Sequence, residues 1–522
     1  MNKLMRLFHT LRYLKLKQIY YRIYYIVRQK VRKLTHFQYK VKKTPKQYEL
    51  FFEESIFLGE SYKHGTFTFL NITHDFKSQI DWNYLEYGKL WTYNLNYFDF
   101  LNQEKIDNEE AINLIYDFIK KMPHINDGLM PFPISLRGIN WIKYLSNQKI
   151  NDEKIITALY LQYQILMDNL EYHILGNHLL ENGFSLLFGA YYFHDEKLYA
   201  KAYEILTNEL QEQVLKDGAH FELSPMYHQI MLFRVLDCIN LAKNNPWKRD
   251  GLLFLLEEKA SMMLGWLVRI TFKNGNIPLF NDSTNKIAPR TFELMEYAQE
   301  LKIDITLTTL SDSGYRKIKN EFYECVIDVG NIGPDYIPGH AHSDTFSFEL
   351  YIDGQPVIVD TGISTYETNR RRMLERSTSA HNTVEINAQN QSHVWGGFRV
   401  AERAKVISLE ENKGIISAIH NGYEKMGFYH KRNWKFLENE IQIIDEIIGI
   451  NPKQVTSYLH FHPDIIPILR GKEIIMNKGK IVLNTENIRM EEYDYTLEFN
   501  KTVKGIKIAI DFDTELIMEI IL

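Results

Sequence analysis

Three segments of this 522-residue chain concentrate side chains able to bind a carboxylate or move a proton. The first is Gly176–Gly183, GNHLLENG. On a helix, His178 and Glu181 are one turn apart and share a face, with Asn177 adjacent. Asn177 and His178 so placed can grip a substrate carboxylate while Glu181 orients the imidazole. The alternative is a capped helix start with a surface His–Glu pair. The second segment, Asp217–His228, reads DGAHFELSPMYH, and Tyr227 follows Pro225 at a helix start. A tyrosine gives or takes a proton where its neighbours draw its pKa toward working pH. One tyrosine among 33 is otherwise ordinary packing. The third and most restrictive segment begins at Gly339, GHAHSDTFSFELYIDGQPVIVDTG, and continues through RSTSAHNTVEINAQNQSHVWGGFRVAERA. His340 and His342 lie two apart, which on a strand points both to one side. Asp360 ends the partner strand of an Asp-Gly hairpin, and His381 precedes a further strand. Two His and one Asp from separate strands suit a zinc site; a hydrogen-bonded polar cluster at a sheet edge is the rival reading.

These groups need elements to hold them. From about residue 105 to 310 the apolar residues recur at helical spacing. Glu109–Met122 places Ile112, Ile115, Ile119 and Met122 on one face, and Asn151 is the expected cap of a helix carrying Ile155, Leu159, Gln162 and Ile165. Further runs start near Asn177, Leu198, Gln229 and Leu252, a succession that suggests a helical array or toroid. Near Ser311–Gly314 the period changes to two. Phe346, Phe348, Leu350 and Ile352 face one way and Ser347, Glu349 and Tyr351 the other, before the hairpin signal Asp353-Gly354. Strand patterns follow at NTVEI, RAKVISLE, GIISAIH, NEIQIIDEII, VTSYLHFH, EIIMN and KIVLN, which predicts an antiparallel sandwich. The chain is therefore expected to be a multidomain α+β protein. Its parts are a basic arm over 1–48, a helical domain over 49–312 and a β-sandwich over 313–522.

Charge is distributed unevenly. Residues 1–48 hold fourteen Lys and Arg and no acid, so all 66 Asp and Glu lie beyond them. A basic, aromatic-rich arm suits either an anionic membrane surface or the acidic body of the same protein. That acidic body would repel phosphates, which argues against nucleic acid as a partner. No stretch of ~18 uncharged apolar residues marks a membrane span. The start lacks the ~7–15-residue apolar core of an export signal, so a cytoplasmic address is expected, with the arm at the inner membrane face. Cys238 and Cys325 read as buried thiols with no disulfide framework. Arg370, Arg371, Arg372 and Arg376 read as an exposed basic loop, with contact to substrate anions as the alternative.

Taken together, GNHLLENG, HFELSPMYH and GHAHSD…AHNTV resemble the heparinase II/III-like polysaccharide lyases, a family also similar to certain alginate lyases and to dermatan-sulfate epimerase. PFPISLRGINWIKY at Pro131–Tyr144 fits the helical domain of the same family. The resemblance implies an N-terminal α/α toroid followed by a C-terminal antiparallel β-sandwich. It implies that Asn177 and His178 neutralise a uronate carboxylate, that Tyr227 protonates the leaving glycosidic oxygen, and that His340 is the second proton-transfer residue. It implies a mainly structural zinc ion on His342, Asp360 and His381, and sugar contacts from Arg137, Asn140 and Trp141. The expected activity is C5 proton abstraction and β-elimination on an anionic, uronate-containing polysaccharide. A C5-epimerase shares the first half of that chemistry. A non-catalytic polysaccharide-binding or assembly component is the third reading, since the basic arm resembles family members tied to surface-polysaccharide synthesis.

Overall fold

The computed structural model describes residues 3–57, 59–77, 79–450 and 452–522; Met1 and Asn2 of the basic arm lie outside the described residues. Helices α1 (Lys3–Leu11) and α2 (Leu16–Leu34) form the arm. The helical body comprises α3 (Lys89–Tyr97), α4 (Asn108–Lys121), α5 (Pro131–Asn147), α6 (Glu153–Asp168) and α7 (Gly176–Phe193). It continues with α8 (Glu196–Gln213), α9 (Pro225–Asn244), α10 (Arg249–Ile270) and α11 (Thr291–Glu300). Successive helices pack as hairpins, α5 on α6, α7 on α8 and α9 on α10, and α7 also contacts α5 and α9, giving an α/α toroid.

Short polar residues start these helices. Asp152 accepts from the backbone N–H groups of Lys154 and Ile155, Asp195 caps α8 in the same way, and Ser224 accepts from Tyr227. Each such cap contributes about 1 kcal/mol. The cap of α6 is thus Asp152, one residue beyond the expected Asn151, because only its carboxylate reaches both free N–H groups. In α4 the fully covered residues are Ala111, Leu114, Ile115 and Phe118, while Ile112 and Ile119 are half-buried at the border of that face. A three-stranded sheet over Tyr62–Asp75, which the pattern did not announce, packs Phe67 and Phe69 into the helical core.

Beyond Tyr315 the described chain is mostly antiparallel strand. One four-stranded sheet runs from Tyr315–Lys319 through Tyr323–Asp328 and Phe348–Ile352 to Gln355–Ile358. The Asp353-Gly354 turn closes its last hairpin, with both residues at positive φ, 50° and 72°. Such a turn matches the right-handed strand twist. A second four-stranded sheet and an eight-stranded sheet complete the sandwich, around a core that includes Phe346, Trp434, Ile443 and Met518. Phe348–Ile352 is buried on both faces, so its alternation of residue types does not divide core from solvent. A one-turn-and-a-half helix, α12 (Arg370–Glu375), interrupts the strands beside the toroid. Cys238 and Cys325 are both free and buried.

Candidate active site

The α/α toroid and the sandwich meet at a groove of about 720 Å³ whose wall includes Asn177, Glu181, Tyr227 and Tyr366. Asn177 stands at the first turn of α7. The backbone enters that helix through Gly176 at φ +59°, and a Cβ there would lie 2.7 Å from Glu222 Oε1. Glycine is the residue that tolerates this conformation and this approach. The close approach lets the Asn177 backbone N–H donate to Glu222 Oε1 at 2.9 Å. The Asn177 side-chain oxygen has no partner in the fold.

His178 is oriented by Glu171, not by Glu181. Its Nδ1 lies 2.9 Å from Glu171 Oε1, and Asn182 donates to the other Glu171 oxygen at 3.0 Å. Burial works against a charged His178 ring, yet the Glu171 carboxylate beside it raises its pKa above the ordinary value. Glu181 instead pairs with Arg234 at 3.3 Å. The one-turn spacing was therefore a poor guide: both side chains leave the helix on adjacent lines, but each finds its counter-charge on a different neighbour.

Tyr227 follows the Ser224 cap at the start of α9 and lays its ring on the His340 imidazole, centroids 3.9 Å apart. Tyr366 donates its hydroxyl hydrogen to the Tyr227 oxygen at 3.2 Å. Burial raises the Tyr227 pKa well above the phenol range, so the ring is a neutral proton donor and not a phenolate.

His340 and His342 stand on an irregular loop, not on a strand, and both turn to one carboxylate. Asp282 Oδ2 is 2.8 Å from His340 Nδ1, and Asp282 Oδ1 is 2.8 Å from His342 Nε2. Arg372, on α12, donates both terminal nitrogens to the same carboxylate, one of them at 2.8 Å. Burial opposes a charge on Asp282, but Arg372 and the hydrogen bonds from His340, His342 and Arg372 hold its pKa well below the carboxylate range. Nδ1–H of His340 thus donates to a fixed anion, which leaves Nε2 as the working nitrogen. That atom faces Glu222 Oε2 at 3.3 Å, and burial raises the Glu222 pKa.

The remaining expected residues are distributed differently. Asn140 lines the groove, where its amide donates to Tyr97 O at 3.0 Å and to Asp99. Arg137 and Trp141 do not: both side chains turn into the core. Arg137 donates to Gln162 and to the Asn96 carbonyl, and Trp141 packs between Phe98 and Phe118. With neither exposed, contact with a sugar is corrected to a packing role for this pair. The arginine run is likewise corrected, since Arg372 and Arg376 are buried and not part of an exposed loop.

His342, His381 and Asp360 are brought together in part. His381 Nδ1 is 2.7 Å from Asp360 Oδ2, and the two imidazole centroids are 5.2 Å apart. His342 Nδ1 and His381 Nε2 are buried without partners, and these donor types suit zinc. As placed, Asp360 is drawn to His381, and among the described residues no three His, Cys, Asp or Glu side chains converge to hold an ion.

Sequence reasoning missed Glu171, Glu222, Asp282 and Tyr366, and it named Arg372 without its buried role. Glu222 lay inside the segment singled out for Tyr227. Asp282 carried a signal too: it ends the apolar run Ile277–Phe280 in a polar cluster, NDSTN.

Residues 133–302 match the family model described as heparinase II/III N-terminus, and residues 305–513 match heparinase II/III-like, C-terminal. A heparin-sulfate lyase of Bacteroides stercoris is 24% identical over 306 residues, 53% of this chain and 44% of that protein. One from Pedobacter heparinus is 23% identical over 275 residues, 47% of this chain and 39% of that protein. The matches therefore span less than half of either relative. A solved structure titled heparinase III superposes with TM-score 0.67 at 18% identity, covering 86% of this chain and 80% of the other, which shows a shared fold.

Proposed function

Because this chain belongs to the heparinase II/III-like family, we propose that it is a polysaccharide lyase acting on a uronate-containing polymer by β-elimination. The observation that carries this reading is the packing of Tyr227, in the groove wall with Asn177, against the His340 ring behind it, centroids 3.9 Å apart. A C5 proton next to a carboxylate is weakly acidic because its removal adds charge to an anion. Donors from Asn177 and from protonated His178 to that carboxylate stabilise the enolate-like transition state, each by about 3–4 kcal/mol. His340 Nε2 takes the C5 proton. The Tyr227 phenol gives its proton to the leaving O4, the C4–O4 bond breaks, and a C4–C5 double bond remains. No water is consumed. A zinc ion on His342, Asp360 and His381 is part of the same proposal, supported by the two unpartnered imidazole nitrogens. It would supply structural cross-linking near the His340 loop, and metal analysis of the purified protein tests it.

The charge of the groove supports a narrower substrate class. Its cations are already engaged: Lys143 with Asp237 at 2.6 Å, Arg234 with Glu181 at 3.3 Å, and Lys286 with Glu498 at 2.9 Å. Carboxylates in the wall, Glu53, Glu54, Glu60, Asp99 and Glu104 among them, outnumber these cations. A polymer dense in sulfate would meet like charge there, a costly juxtaposition. The expected substrate is an unsulfated or sparsely sulfated uronate polymer. Incubation with heparosan, hyaluronan, chondroitin, alginate and their sulfated counterparts, followed by ultraviolet absorbance of the conjugated uronate, tests both levels. Unsulfated polymers are expected to turn over roughly tenfold faster or more. Faster cleavage of heparin than heparosan would remove the charge argument and leave the lyase standing; no unsaturated product from any polymer would remove the lyase.

The environment of His178 also gives a pH expectation. With its pKa raised in the fold, the protonated ring persists to higher pH than a free imidazole and is lost as pH rises through the raised value. Turnover is expected to fall along an alkaline limb. Glu171→Gln removes the neighbouring anion, so the limb moves to lower pH. An unmoved limb would show that His178 charge does not govern the rate.

A further inference from the structure

The arm helix α2 has two unlike sides. Gln18, Tyr21, Tyr25, Arg28 and Arg32 follow one another at intervals of three or four residues, and all meet the body. Gln18 donates to Ile174 O at 2.9 Å, Tyr21 stacks on Tyr172 at 4.6 Å, and Tyr25 donates to Leu170 O at 2.5 Å. Arg28 and Arg32 close the far end on Asn169 and Asp168. This row holds the helix rigidly against the toroid.

The opposite side is apolar and open. Leu16 is 83% exposed, Ile23 59%, Val27 53%, Val31 51% and Leu34 81%. These positions also recur at helical spacing, half a turn from the anchoring row. Large exposed residues in one stripe differ from scattered surface leucines and mark a contact surface. The flanks of the stripe carry exposed Lys30 and Lys33, and the arm has no acid before Glu49. The smaller helix α1 repeats the plan: Arg6 and Thr10 engage Trp395, while Leu4 and Phe8 stand exposed.

We propose that this outer side of α2 docks on an anionic lipid bilayer. Charge complementarity selects that occupant. An apolar stripe enters the acyl boundary while flanking lysines and arginines meet anionic headgroups. A protein partner with an apolar face alone would leave the cations unmatched. Docking through α2 would hold the toroid at the membrane without using any residue of the groove. The surface is independent of the lyase reading, because it rests on the arm alone.

Sedimentation of the full chain with vesicles tests this. The protein is expected to bind vesicles containing phosphatidylserine and to ignore pure phosphatidylcholine. Added salt weakens the binding. Lys30→Gln with Lys33→Gln lowers partitioning roughly thirtyfold, as expected for two juxtamembrane cations. Ile23→Glu with Val27→Glu abolishes binding, while circular dichroism shows the helices intact, since both side chains are exposed. Failure to bind anionic vesicles would overturn the proposal. So would a concentration-dependent dimer that Ile23→Glu disrupts in the absence of lipid binding, because the stripe would then serve a second copy of this chain.

Discussion

Tyr227→Phe is expected to lower turnover of a uronate polymer by roughly 10²–10⁴-fold, the usual worth of a positioned proton donor. The substitution removes one oxygen. The ring remains packed against His340, and the Ser224 cap of α9 is untouched, since it uses the Tyr227 backbone. Folding is therefore expected to survive, and thermal unfolding checks that. The lost group is the phenol that burial keeps protonated. Substrate affinity should change little, because Asn177 and His178 are left in place to meet the carboxylate. A fall in kcat with KM nearly constant is the expected pattern. Retention of more than a tenth of wild-type turnover would take the proton-donor role from Tyr227 and direct attention to Tyr366, whose hydroxyl lies 3.2 Å away.

Arg372→Leu is expected to destabilise the fold by about 3–5 kcal/mol, the cost of leaving a buried charge without its partner. Asp282 and Arg372 are both fully buried, and the guanidinium holds both carboxylate oxygens. Without it, the Asp282 anion keeps only His340 and His342 as donors. Urea unfolding reads the change as a shifted midpoint. Replacing Asp282 with Asn in the same chain removes the stranded charge and is expected to recover part of the loss, although His340 and His342 then lose their anion. A shift below about 1 kcal/mol, the range of an exposed ion pair, would show that the site is more hydrated than its burial indicates. The pair also makes a pH expectation. The Asp282 pKa is depressed in the fold, so its stabilisation is present above the unfolded carboxylate value, ~3.9. It is lost as pH falls through the folded value.

The two expectations act on different parts of one assembly. Tyr227 lines the groove and His340 packs against its ring, whereas Asp282 and Arg372 hold the far side of the His340 imidazole. Three pieces of chain that are far apart in sequence thereby converge. The α10–α11 connection supplies Asp282, the loop before Phe348 supplies His340 and His342, and α12 supplies Arg372.

Much of the architecture was legible without coordinates. The change of period near Ser311 marks the passage from helices ending at Glu300 to strands beginning at Tyr315. A helix face and a strand face repeat at different intervals whatever the rest of the chain does, so periodicity is a local property. The Asp353-Gly354 hairpin was local in the same sense, because the turn needs residues that tolerate positive φ. Asn177, His178, Tyr227 and His340 stand in short motifs legible in the sequence; the fold puts Asn177 and Tyr227 in the groove wall and His340 against the Tyr227 ring.

Other assignments depended on what stands opposite. Arg137, Asn140 and Trp141 occupy neighbouring positions of α5, yet only Asn140 meets the groove; the direction of that helix relative to the groove decided which side chain emerged. Glu181 was the nearest acid to His178 by helical spacing, but Glu171, from the turn before α7, is the one that holds the ring. The same is true of the arginine run, where residue type implied solvent and Asp282 supplied a buried counter-charge. By itself the sequence determined the passage from helices to the C-terminal strands, the hairpin turn and which side-chain types could move protons, since each follows from local backbone preference or intrinsic side-chain chemistry. Tertiary structure alone decided which acid faces each base and which residues reach the groove, because Coulomb energy and hydrogen bonding depend on distance in space, and chain separation does not report it.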